Sequence, residues 1–124
     1  MKRLFILAMI LVLPMAAHAE GHMDVIQVSL KDGCTVAQYT AIVHDFNKDW
    51  GKKHGYKAEV LVPLQNEELT SIFWVGRTAN AAAFGAAWDA WRDALPDAKS
   101  TAAKLQARLD ACSTNSSRSG YDVY

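Results

Sequence analysis

TSIFWVGRT, residues Thr70–Thr78, is the stretch on which the fold turns. Ile72 and Trp74 alternate with Phe73 and Val75, so a strand here is apolar on both faces, the pattern of a central strand covered twice. Asn80 follows as an N-cap, and Phe84, Trp88, Trp91 and Leu95 then recur at helical spacing until Pro96 stops the run. That aromatic stripe reads as packing, since one apolar helical face is far more often core than a cofactor platform. It can cover only one side of the strand.

Working outward, residues 24–30 (DVIQVSL) alternate as well, with Ile26, Val28 and Leu30 on one face and Val25, Gln27 and Ser29 on the other. The turn Lys31-Asp32-Gly33 ends this strand. Val36, Tyr39, Val43, Phe46 and Trp50 then mark a helix that reaches about Gly51, with Gly55 suited to close it and Lys52 and Lys53 suited to its negative end. Residues 57–65 read as a second strand. Pro63 within it assigns it to a sheet edge, because proline cannot donate to a ladder. Residues 66–69 form the turn into the central strand. Beyond Pro96, a short helix over Thr101–Ala111 turns Leu105 and Leu109 inward, Ser113–Ser117 reads as a polar loop, and Arg118–Tyr124 is the last strand.

The order is strand, helix, strand, strand, helix, strand, with an extra short helix before the last strand. This is the split βαβ arrangement of a ferredoxin-like α+β fold, a four-stranded antiparallel sheet in the spatial order 4-1-3-2. The second strand is then an edge, as Pro63 requires, and the third is interior, as its two apolar faces require. In the same topology the first and fourth strands are antiparallel neighbours, which brings Cys34, just after the first, beside Cys112, shortly before the fourth. A disulfide between them is expected in an exported protein. The competing reading, a free nucleophilic thiol, lacks a base nearby in sequence.

Export is the expectation from the first residues. Met1, Lys2 and Arg3 give a positive start, Leu4–Leu13 is unbroken apolar sequence, and Ala17-His18-Ala19 offers small residues at the cleavage positions, so residues 1–19 read as a signal peptide rather than a retained anchor. The apolar run is shorter than the roughly 20 residues a spanning helix needs. The mature domain is then residues 20–124, periplasmic or secreted, with no membrane partner and a formal charge near −2. That charge, with no basic run interleaved with aromatics, argues against nucleic acid as a partner.

These elements together resemble the dimeric α/β-barrel superfamily, in which two ferredoxin-like protomers pack sheet against sheet. The resemblance covers nearly all of residues 24–124 and is carried by element order and by a third-strand tryptophan running into an aromatic helix. It implies a homodimer, whose second sheet would cover Phe73 and Val75. It also implies several activities, among them cofactor-independent antibiotic-biosynthesis-type monooxygenases, haem-degrading enzymes and stress-responsive proteins. Trp74 matches the tryptophan of the first two branches. The following helix, Phe84-Gly85-Ala86-Ala87-Trp88, lacks the histidine often found there, and the first strand offers Gln27 in place of an asparagine. No cofactor is therefore expected. The resulting expectation is a small apolar or aromatic ligand held by Trp74, Arg77 and Gln27, with a cofactor-independent oxygenase using the Trp74 pocket as the alternative. Gly76 leaves room beside the Trp74 ring, although the face on which Trp74 lies is open.

No residue receives a catalytic role from the sequence. There is no HExxH, paired CxxC, nucleophile elbow or P-loop lysine motif. His44 and His54 read as solvated, and Asp45, Asp49, Glu67 and Glu68 as solvated charges rather than a catalytic pair. One small constellation remains. Cleavage after Ala19 would expose Glu20-Gly21-His22, whose amine, two amides and His22 imidazole supply four nitrogens suited to tetragonal Cu(II) or Ni(II).

Overall fold

The computed structural model describes residues 19–65 and 69–124. Its elements are β1 (Gly21–Leu30), α1 (Val36–Asp49), a 3₁₀ turn (Gly51–His54), β2 (Lys57–Leu61), β3 (Ile72–Thr78), α2 (Ala81–Ala94), α3 (Thr101–Cys112) and β4 (Ser113–Val123). The sheet order is β2-β3-β1-β4, the expected 4-1-3-2 read from the other edge, and every pairing is antiparallel.

Local chemistry sets the helix limits. Thr35 caps α1 by a reciprocal box, its hydroxyl accepting from Gln38 N–H while the Gln38 side chain accepts from Thr35 N–H. Asn80 caps α2 by accepting from Ala83 N–H, and Ser100 does the same for α3 through Ala103 N–H. Gly55 takes a left-handed conformation (φ 63°) and closes the turn after α1, as its position suggests.

Two strands depart from the sequence reading. β2 stops at Leu61, before Pro63, yet it is the edge strand. The expected loop Ser113–Ser117 is instead the first half of β4, which leaves α3 without a break. This segment carries no apolar alternation because nearly all of β4 is exposed. Backbone pairing with β1 along its whole length holds it in place, with a bulge at Gln27/Val28 that leaves Ser116 outside the register and its hydroxyl on the Gln27 carbonyl. Of the turn read at residues 66–69, residues 66–68 lie outside the described residues, as do residues 1–18 of the segment 1–19 read as a signal peptide.

The core lies between the sheet and the helices. Phe46 of α1 meets Trp74 of β3 edge-on at 4.8 Å, and contacts Trp91 of α2 at 5.5 Å between ring centroids. Ile72 and Trp74 face this layer, and Val75 is also buried, so both faces of β3 are apolar as expected. Cys34 and Cys112 form a disulfide with Cα atoms 5.2 Å apart, closing a separation of 78 residues. Among the described residues no helix is long and apolar enough to cross a membrane. The α2 stripe needs one correction: Trp91 is core, but Trp88 keeps 37% of its surface exposed.

Candidate functional site

A row of very small side chains crosses the middle of the sheet. Ala58 pairs with Gly76, Gly76 with Asp24, and Asp24 with Gly120, so the aspartate is flanked on both sides by glycine. A side chain at either glycine would stand on the helix-facing side, where two rings take the space. The Tyr56 ring lies directly over Gly76, and a Cβ there would fall 1.7 Å from its oxygen. His22 lies over Gly120, 3.2 Å from where a Cβ would stand.

Asp24, 2% exposed, is fixed by three hydrogen bonds. Tyr56 Oη donates to Oδ2 at 2.7 Å. Arg118 grips both oxygens, Nε to Oδ1 and Nη2 to Oδ2, each at 2.7 Å, the paired geometry that makes arginine–carboxylate contacts strong. Tyr56 Oη in turn accepts from Trp74 Nε1 at 2.8 Å. The guanidinium carbon of Arg118 lies 4.1 Å from the centroid of the Trp88 ring, a cation–π contact. Trp74, Tyr56, Asp24, Arg118 and Trp88 thus form one connected chain, and no buried polar side-chain atom among the described residues lacks a partner.

This chain forms part of the wall of a cavity of about 490 Å³ between the sheet and the helices, whose aromatic lining includes Phe46, Phe84, Trp88 and Trp91. Its size and its few convergent polar groups are those of a small-molecule site. Burial, and then the adjacent Asp24 carboxylate, push the Tyr56 phenol well above its ordinary pKa of 10. Burial also raises Tyr39, another wall residue, to about 12. Both phenols keep their protons at neutral pH. Asp24 is committed through three hydrogen bonds to Tyr56 and Arg118.

Of the residues expected to hold a ligand, Trp74 lines the cavity. The space read beside it at Gly76 exists but belongs to Tyr56. Gln27 and Arg77 do not join Trp74. Gln27 pairs with Phe73 and Arg77 with Met23, one residue out of phase with Trp74, so they lie on the other face of the sheet. There Gln27 donates to Ser71 Oγ at 3.1 Å, and Arg77 pairs with Glu59 at 3.2 Å. Gly21 and His22 are extended in β1, with the His22 ring 4.9 Å from Phe84 and Nδ1 3.3 Å from Asp122. An extended strand keeps apart the nitrogens that a tetragonal metal must gather, so binding there would require these residues to leave β4. Among the described residues no group of three or more His, Cys, Asp or Glu side chains could hold a metal ion. His54, read as solvated, stacks on Trp50 at 4.2 Å.

Asp24, Tyr56 and Arg118 were not singled out by sequence. For Asp24 a signal was present: it shares the strand parity of Ile26 and Val28, and a carboxylate in phase with an apolar face needs a buried partner.

A similar fold occurs in a protein of known structure. The crystal structure of SnoaB, a cofactor-independent oxygenase from Streptomyces nogalater, superposes with a TM-score of 0.57 at 12% identity, covering 86% of this chain and 95% of that one. The fold is ferredoxin-like. A dimeric protein of unknown function with a ferredoxin-like fold from Bacteroides fragilis matches less closely, with a TM-score of 0.44 and 14% identity over 83% of this chain and 96% of that one. No protein-family model matches the sequence, and no curated protein does. At these identities the ferredoxin-like likeness concerns the backbone, and function has to be argued from the cavity.

Proposed function

We propose that this is an exported protein that binds a small, planar aromatic ligand in the cavity between sheet and helices, and that it works as a homodimer. The observation that carries the binding reading is the cavity itself, with an aromatic lining and the hydrogen-bonded Trp74–Tyr56–Asp24–Arg118 chain in its wall. A pocket whose buried polar groups are already held by one another is prepared for a mainly apolar guest, because little has to be reordered on entry. The disulfide supports an oxidising destination. The dimer reading is supported by the sheet face opposite the helices, where Leu61 and Tyr121, both 51% exposed, share a surface with Val25 and Phe73.

Titration with a naphthalene-sized aromatic tests the binding. Tryptophan emission should quench saturably at one equivalent per chain, and Trp74→Phe should weaken the binding without unfolding the protein. Loss in Trp88→Phe with no effect of Trp74→Phe would move the ligand to the helix side of the cavity. Absence of any saturable quenching sinks the reading. Light scattering of the mature protein should give about twice the monomer mass, and a stable monomer at micromolar concentration refutes the dimer. The oxygenase alternative draws only on the backbone shared with SnoaB; oxygen uptake during turnover of an aromatic substrate would favour it over simple binding.

A further inference from the structure

Arginine carries five N–H donors: one on Nε and two on each terminal nitrogen. In Arg118 the side-on edge is taken, with Nε and Nη2 both committed to Asp24. Both hydrogens on Nη1 and the second on Nη2 make no hydrogen bond to any described residue, and Arg118, with 35% of its side chain exposed, is one of the residues lining the cavity. One face of the guanidinium rests over Trp88, and its carbon also lies 5.6 Å from the centroid of the Phe84 ring. The free end-on edge presents two parallel donors to an oxygen acceptor, while its position is fixed by the buried carboxylate on the other edge.

The charges around the cavity decide what kind of acceptor fits. Asp24 and Asp110 are balanced by Arg118 and Lys31, so the ionisable side chains of the wall carry no net charge. Lys31 is turned to the Asp110 carbonyl. A carboxylate seated on Arg118 would place a second anion across one guanidinium from Asp24, and it would shed its hydration for a cation already neutralised. A carbonyl oxygen takes the same two hydrogens without adding charge. We infer that Arg118 is the specificity-determining residue of the cavity and selects an uncharged aromatic carbonyl compound, such as a ketone or amide, over hydrocarbons and over aromatic acids, with Asp24 and Tyr56 as positioning residues. This rests on the cavity being the ligand site.

Three probes of one shape separate the possibilities: 2-acetylnaphthalene, its hydrocarbon isostere 2-isopropenylnaphthalene, and 2-naphthoate, each titrated calorimetrically into the mature, oxidised protein. The ketone should bind about tenfold tighter than the isostere, the lower range for a hydrogen bond from a charged donor. Naphthoate should bind no tighter than the isostere. In Arg118→Lys, which keeps the charge but not the two-edged fork, the ratio of ketone to isostere affinity should fall towards one. Equal affinity of ketone and isostere in the wild type overturns the inference while leaving the cavity a binding site, and so does a preference for naphthoate. A ratio that survives Arg118→Lys also overturns it, by placing the donor elsewhere. If no probe binds, the binding reading falls as well.

Discussion

Gly76→Ala is the sharpest test of the site's construction. The added methyl would stand 1.7 Å from Tyr56 Oη and 2.0 Å from Cζ, so no small adjustment removes the clash and the phenol ring has to leave the sheet. Its departure breaks the bond to Asp24, a hydrogen bond to a charged group worth about 1.5–3 kcal/mol, and the bond from Trp74, worth about 1 kcal/mol. Alanine recovers about 0.5–1 kcal/mol of strand preference over glycine. The net loss should be about 1.5–3.5 kcal/mol, read as a lower urea midpoint by tryptophan emission with the disulfide intact. The cause can be isolated by a cycle. In a Tyr56→Ala background the methyl meets no ring, so Gly76→Ala should cost almost nothing there, and the two substitutions should be strongly non-additive. A loss under about 0.5 kcal/mol in the single variant, or additivity in the pair, would refute the account of Gly76 as the seat of Tyr56.

Further outcomes follow from other parts of the molecule. Intact mass of the oxidised protein should lie two hydrogens below the reduced value, and replacing both Cys34 and Cys112 with alanine should cost about 2–5 kcal/mol in urea unfolding; unchanged stability would contradict the staple. Tyr56→Phe keeps the ring on Gly76 but leaves Trp74 Nε1 without its acceptor, so a loss of about 1–3 kcal/mol is expected, and a neutral result would remove the hydroxyl from the chain. Burial, and then Lys53, lower the pKa of His54 from 6.5, so the native state binds a proton less readily than the unfolded chain. Its share of stability is full above about pH 6.5 and is lost as pH falls towards the lowered folded value. His54→Gln should flatten the pH dependence of the urea midpoint in that window, and an unaltered slope would contradict the assignment.

The topology was legible because two strands announce their places by composition. The doubly apolar Ile72–Val75 segment could only be interior, and a segment leading into Pro63 could only be an edge. β4 announced nothing: its serines and Asn115 are held by main-chain bonds to β1, which leave no periodic trace in side-chain type. The site was legible only in part. Trp74 and the space at Gly76 were both visible, but that Tyr56 fills the space depends on how the turn after α1 delivers it to the sheet. Arg118 reaches Asp24 diagonally across the β1–β4 ladder, in a register set beside the bulge at Gln27/Val28. Arg77, three residues from Trp74 along β3, is set on the opposite face by alternation itself, whereas the face of Gln27 depends on the β1–β3 register, which pairs it with Phe73 and not with Trp74.

The position of the disulfide also decides how the domain would respond to tension. Cys34 and Cys112 close a covalent ring around everything between them, and β1 and β4 leave that ring as two tails lying side by side. The outer ends of the tails, Gly21 and Val123, stand opposite each other. A pull applied between them would open the ladder as a zipper, one rung at a time, and would reach Asp24, and with it the grip of Arg118, after only a few rungs. At Leu30 and Ser113 the opening would stop, because beyond that point the load passes through the sulfur–sulfur bond and bypasses the chain inside the ring. Phe46, Trp50, Trp74 and Trp91 all lie within it. Such a load would dismantle the Arg118–Asp24 pair before it strained the aromatic layer, and on release the tails could close again from a fixed starting point.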